Sequence, residues 1–348
     1  MTNRSLMLAL CVILLTIATL ALAAEEQAEG VSGFKNVNAP GAIETDPYAI
    51  NNQAFIAGDY VDSSGMQHGM ILHEKTLTTV DRKNCLTTPG PNAIAFYGIN
   101  SNETVVGWCQ NNKTGVDNAF SYSEGKFVNI SPPGSVSTQA HGINDKGQIV
   151  GTYFDAGGNQ HGFVQTSGKY TTLDVPGDTA SDAWSINKKG LITIFAANTS
   201  GNYDSFLFDG KSYTKIDVPG ATQNFVAAIN SFGDRVYTIM DSSNNIHGAF
   251  FLNMKGGTYF VFDDPKGTDT THAFGLDDGL KIVGGYSPAS HVGSETAPSQ
   301  GYSAIGCCRG IPTSHVSVAL TAPGDASGLS RPLTQPLNES SRPYLKSR

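Results

Sequence analysis

The chain is predicted to fold as an all-β protein. The expected architecture is a six-bladed β-propeller of antiparallel four-stranded blades, closed by an N-terminal strand. Three observations carry this. One unit recurs six times at a nearly fixed period. Each unit holds four short apolar runs separated by turn residues. A spare copy of the last run stands ahead of the first unit.

The period is set by an Ile/Leu-Asn/Asp pair at Ile50-Asn51, Ile99-Asn100, Ile143-Asn144, Ile186-Asn187, Ile229-Asn230 and Leu276-Asp277, in steps of 49, 44, 43, 43 and 47 residues. A period of this size marks a solenoid, a propeller or an array. The inner spacing is tighter. From the Asn to the residue heading the third run is 17 in units one, three, four and five, and 18 in unit two. In unit six it is 23, because the loop Pro288–Ser299 intervenes.

Each run reads as a strand. The runs are four to six residues long, rich in β-branched and aromatic residues, and bounded by Gly, Asn, Asp and Pro. The clearest unit spans Gln139–Asp178. In it, Asn144–Gly147 fits a tight hairpin and Asp155–Asn159 a longer one. Val175–Gly177 and Val218–Gly220 fit type II turns, where Pro presets one φ and Gly supplies a positive one. The last run is missing after unit six, yet Phe34–Gly41 resembles it and precedes unit one. An N-terminal strand completing the last blade would remove both sheet edges.

In chain order, residues 1–24 read as a secretory signal peptide: Arg4, an apolar run, then the small residues Ala21 and Ala23 at a cleavage site. Cys11 lies inside the apolar run rather than at its end, which argues against lipidation. An uncleaved anchor is the alternative. Residues 25–305 are the propeller and 306–348 a disordered tail rich in Pro, Ser, Gly and Thr. The protein is expected to be secreted or periplasmic, with no membrane span after signal removal, and monomeric. Its formal net charge is −8, and five basic against two acidic residues follow Ile305, so the propeller body is more acidic still. That disfavours nucleic acid and anionic membranes as partners.

Four cysteines remain after residue 24: Cys85, Cys109, Cys307 and Cys308. A Cys85–Cys109 disulfide within the second blade is expected in an exported chain, with free buried thiols as the alternative. No C-x-x-C spacing is present, and no zinc site is read. His68, His161 and His247 head the third run of units one, three and five, where the other units carry Asn118, Asp204 and Gln300. They are read first as fixing the neighbouring turn, and second as facing a shared channel. Tyr60, Tyr153 and Tyr286 share one position, two residues past a strand Gly; inter-blade core and a ligand-facing ring are the two readings. Asp62, Asp155 and Asp241 open hairpin loops that lack the distal acidic ligand of a calcium loop. Trp108 and Trp184 suit the core, or stacking on sugars. No G-x-S-x-G, phosphate loop or Rossmann pattern occurs. No catalytic residue, metal ligand or cofactor is therefore assigned.

The run Ala140–Tyr153, with Gly157–Phe163, resembles the HAF-type extracellular repeat of exported bacterial proteins. The resemblance spans about residues 34–305 and is weakest in units four and five. It implies an exported repeat protein and carries no established activity or site. The function expected is a non-enzymatic binding module whose unknown extracellular partner is a glycan, a peptide or a cell-envelope component. The alternative is a propeller-type hydrolase, lyase or lactonase with an axial divalent metal.

Overall fold

A computed structural model of the chain describes residues 30–86, 93–253, 257–288 and 299–306. The signal-peptide segment, Cys307 and Cys308, nearly all of the Pro288–Ser299 loop and the tail from 307 lie outside these residues. The described residues are all-β. Strand β1 is Val31–Asn36. A first four-stranded sheet runs β2 (Glu44–Ile50), β3 (Phe55–Val61), β4 (Gln67–His73) and β5 (Thr76–Val80). The second is β6 (Ala95–Ile99), β7 (Val105–Gln110), β8 (Asp117–Ser123) and β9 (Lys126–Ile130). The third is β10 (Ser135–Ile143), β11 (Ile149–Asp155), β12 (Gln160–Thr166) and β13 (Lys169–Leu173). The fourth is β14 (Ala180–Ile186), β15 (Ile192–Ala197), β16 (Tyr203–Phe208) and β17 (Tyr213–Ile216). Within each, consecutive strands pair antiparallel as a meander.

The last two units depart from the expected six separate sheets. Strands β18 (Gln223–Ile229), β19 (Arg235–Met240), β20 (Ile246–Leu252) and β21 (Thr258–Phe262) make one meander. Strands β22 (Gly267–Leu276), β23 (Lys281–Pro288) and β24 (Gln300–Gly306) make the next. They merge into one eight-stranded sheet through a single parallel pairing, Ile246 with Thr270. The cause is length: β22 is 10 residues long and starts early enough to reach the edge of β20. At the far side of this sheet β1 lies antiparallel to β24, with Val31 opposite Gly306 and Asn36 opposite Tyr302.

The turns follow their residues. Asp178 donates to the Val175 carbonyl at 3.2 Å across Pro176-Gly177, and Gly177 has φ +91°. Ala221 closes the same turn on Val218 at 3.1 Å, with Gly220 at φ +80°. The strand glycines have another reason. A Cβ on Gly58 would lie 1.9 Å from the Asp46 carbonyl oxygen, and one on Gly107 2.0 Å from that of Ala95. Backbone approaches backbone there, next to an irregularity in each inner strand, and no side chain fits.

Apolar clusters lie between consecutive sheets. Ala57 and Val80 of the first unit pack with Phe96 and Val105 of the second. Val150 and Leu173 meet Ala183 and Ile194; Ile216 and Val218 meet Val226 and Tyr237. Val283 of β23 packs with Ile50, Ile56 and Met70 of the first sheet. No helix among the described residues is long and apolar enough to cross a membrane.

Candidate functional site

The repeated Asn builds one end of the molecule. Each Asn ends an inner strand and works in two directions. Its Oδ1 accepts two turn N–H groups, as Asn51 does from Gln53 at 3.0 Å and Phe55 at 2.9 Å. Asn100, Asn144, Asn187 and Asn230 repeat this with the residues two and four ahead. The Nδ2 then donates to the main-chain carbonyl of the matching residue in the next unit. The five links run Asn51 to Asn100, to Asn144, to Asn187, to Asn230, to Asp277, at 3.0, 3.3, 3.0, 2.9 and 3.2 Å. Asp277, when ionised, has no proton to donate. Between unit six and unit one the neighbours act instead: Asn52 Nδ2 donates to Asp278 Oδ2 at 3.0 Å, and Asp278 N–H to Asn52 Oδ1 at 2.9 Å.

Three residues before each Asn stands a second layer: Tyr48, Tyr97, His141, Trp184, Ala227 and Phe274. Five of these are aromatic, and their rings touch. Tyr48 stacks on Tyr97 at 4.7 Å and meets Phe274 edge-on at 5.2 Å. Tyr97 reaches Trp184 at 6.0 Å, and His141 lies 4.1 Å from Trp184. At the Ala227 gap, Phe225 packs edge-on against Trp184 at 4.8 Å. Above these rings is a pocket of about 110 Å³ lined by all six units. Its floor is Tyr48, Tyr97, Trp184 and Phe274, each still 7–8% exposed, whereas Phe96, Phe120 and Phe163 are fully buried. Its rim carries Asn52, Asp145, Lys188 and Asp278. This is a funnel lined by aromatic side chains on one side and polar ones on the other.

The histidines and tyrosines singled out from sequence are not in this funnel. A strand of about seven residues separates the Asn end from the second hairpin, roughly 23 Å at 3.3 Å per residue. There His68 bonds Asp81 at 2.8 Å and the hairpin residue Asp62 at 3.3 Å. His161 does the same with Asp174 and Asp155 at 2.9 and 3.4 Å, and His247 with Asp263 and Asp241 at 2.8 and 3.4 Å. Each His thus clamps the outermost strand to the hairpin loop. Burial lowers the pKa of each, and the two carboxylates outweigh it, so all three are raised. Tyr60 stacks on His68 at 5.1 Å and Tyr153 on His161 at 5.0 Å; their hydroxyls bond Thr79 and Thr172. Tyr286 is buried in the core of the eight-stranded sheet.

Sequence reading missed a carboxyl cluster on the inner strand of unit one. Asp46 stands opposite Asp59 across β2 and β3, with Glu44 two residues away. Burial raises all three, and Asp46 is pushed up to about 7. The Ser299 hydroxyl donates to Asp46. His272 in β22 is buried as well, and burial takes it down to about 4. His141 Nδ1 and Asp182 Oδ1 form a buried pair at 2.9 Å. The aromatic layer was missed too, although its signal is present: an aromatic or His recurs three residues before the Asn in five of six units.

Cys85 and Cys109 are bonded, with Cα atoms 5.6 Å apart. Among the described residues no group of three or more His, Cys, Asp or Glu side chains could hold a metal ion. The Asn oxygens at the axial end already accept two N–H bonds apiece. These Asn oxygens therefore have no lone pair left for a divalent ion.

No family model matches the chain, and neither does any curated protein. Among solved structures, it is similar to an Aleuria aurantia lectin N224Q mutant in complex with Fucalpha1-6GlcNAc, at 14% identity and TM-score 0.46, covering 78% of this chain and 98% of that one. It is similar to TolB from Acinetobacter baumannii at 11% identity and TM-score 0.48, covering 75% of this chain and 63% of that one. Likenesses this distant assign neither ligand nor reaction to this chain.

Proposed function

We propose that this chain is an exported, non-enzymatic six-bladed β-propeller of the HAF-type repeat class, closed by β1, that binds a glycan ring in its axial funnel. Residues 1–24 would direct export and residues 25–305 form the propeller. The Asn-to-carbonyl links through all six units, the Asn52–Asp278 link and the β1–β24 pairing support six blades in one ring.

The observation that carries the function is the aromatic floor under a polar rim. A sugar ring has an apolar C–H face and an equatorial belt of hydroxyls. Tyr48, Tyr97, Trp184 and Phe274 offer π-faces to the first, and Lys188 and the Asp145 carboxylate offer a donor and acceptors to the second, while Asn52 and Asp278 are bonded to each other. Ligand pockets commonly combine these two surfaces. A peptide would need a longer groove than a funnel of about 110 Å³ provides.

The test is a glycan array followed by calorimetry on the strongest ligands. Trp184→Leu should weaken binding at least about tenfold. Its lost packing on Tyr97, His141 and Phe225 lowers the melt, so binding is read at a temperature where the variant is folded. An array with no ligand above background would overturn the reading, as would a Trp184→Leu variant that binds like the parent.

A further inference from the structure

Unit two departs from its neighbours at one place. In units one and three the end of the hairpin opposite the Asn ring carries Gln67-His68 with Asp81, and Gln160-His161 with Asp174. The matching residues of unit two are Asp117, Asn118 and Ser131. All three side chains are shorter. In unit one, Gln67 reaches the Ile94 carbonyl of the next unit at 3.5 Å, and His68 spans two carboxylates. In unit two that space is a cavity of about 170 Å³ between β8, β9 and the start of β10. That is roughly ten times the volume one water requires.

The walls are polar. Asp117 accepts from Gln139 Nε2 at 2.9 Å and Ser137 Oγ at 3.2 Å. Ser131 and Ser135 share a hydroxyl contact at 3.0 Å. Asn118 and Asn129 complete the lining. Arg82 lies at the Asn118–Asn129 wall of the cavity and makes no ion pair with Asp117. Its guanidinium bonds the Asn118 carbonyl and the Asn129 side chain, and lies over the Phe120 and Phe127 rings at 4.8 and 5.5 Å. Burial raises the Asp117 pKa, and no cation offsets that burial. A half-buried carboxylate without a cation, facing hydroxyls and carboxamides across a cavity, is suited to a ligand that brings its own positive charge.

We propose that this cavity is a second ligand site, separate from the funnel, for a small hydroxylated ammonium compound of the amino-sugar class. The ammonium would pair with Asp117, and the ligand hydroxyls with Ser131, Ser135, Asn118 and Asn129. The six units are not functionally equivalent on this account. Units one, three and five use the position for a His clamp, and unit two uses it to bind.

Calorimetric titration of the full chain near neutral pH tests this, with glucosamine hydrochloride as probe and glucose as its uncharged counterpart. Glucosamine is expected to bind with a dissociation constant on the order of 1 mM, and glucose at least about tenfold more weakly. Asp117→Asn should weaken glucosamine at least about tenfold. The triple change Asp117→Gln, Asn118→His and Ser131→Asp rebuilds the side chains of units one and three, and should abolish binding. If that variant does not fold, Asp117→Asn alone decides. Absence of binding by the parent, equal affinity for the two sugars, or an unaffected Asp117→Asn variant would each overturn the proposal.

Discussion

At the residue scale, the Asn of each repeat is a structural joint before it is anything else. Asn144 is buried; it accepts from Lys146 and Gln148 and donates to the Asn187 carbonyl. Asn144→Ala would leave several buried groups unpaired and should cost about 2–4 kcal/mol in urea denaturation. Exposed Asn102→Ala, which keeps the N–H bonded to Asn100 and loses only a side chain outside this network, should change stability by less than about 0.5 kcal/mol. Titrating groups make a second prediction. The Asp46 carboxyl sits near 3.8 when unfolded and is raised to about 7 by burial in the fold. Its contribution is fully present below about 3.8 and is lost as pH rises through about 7. The clamp histidines, raised above 6.5, act with the same sign: their stabilisation is present below 6.5 and is lost as pH rises through the raised value. Buried His272, held down to about 4, opposes this below 6.5. The raised Glu44, Asp46 and Asp59 outnumber it, so the urea midpoint should fall from pH 5 to pH 8. Asp46→Asn should flatten the lower part of that slope and His161→Gln the upper part. A midpoint that rises with pH would refute this sign.

At the element scale, the strand pattern was legible and one junction was not. The Val-Pro-Gly turns and the Asn hairpins carry φ-restricted residues at fixed offsets, so their geometry could be read locally. The aromatic at Asn−3 could have been read the same way. The merging of the last two sheets could not, because it depends on where Thr270 meets Ile246 in space. Nor could the raised acids of unit one. Asp46 and Asp59 are 13 positions apart in sequence, and only the register of β2 on β3 sets them face to face. The spare strand ahead of unit one was visible as a copy of a motif. Its pairing with β24 gives it an element-scale consequence. Deleting Phe34–Gly41 removes the second half of β1 and frees the β24 edge, whose unpaired N–H and C=O groups would recruit another chain. Size-exclusion chromatography should show aggregation and calorimetry a lower melting temperature. A monomer melting with the parent would contradict the closing role of this strand.

At the scale of the whole molecule, six imperfect copies divide the work. Their common residues form the Asn links, the inter-sheet cores and the funnel floor, while their differences shape the unit-two cavity. The funnel has its aromatic floor because five of six copies place an aromatic or His at one position, and Phe225 reaches in beside the sixth. Only two tryptophans are present, Trp108 and Trp184, and only Trp184 lines the funnel. A Trp108→Phe variant therefore carries a single emitter at the proposed site. Glycan titration of that variant, followed by its emission, is the most direct measurement. A saturable change in Trp184 emission, at the concentration where calorimetry detects binding, is the result predicted here. Calorimetric binding with the emission unchanged would contradict it.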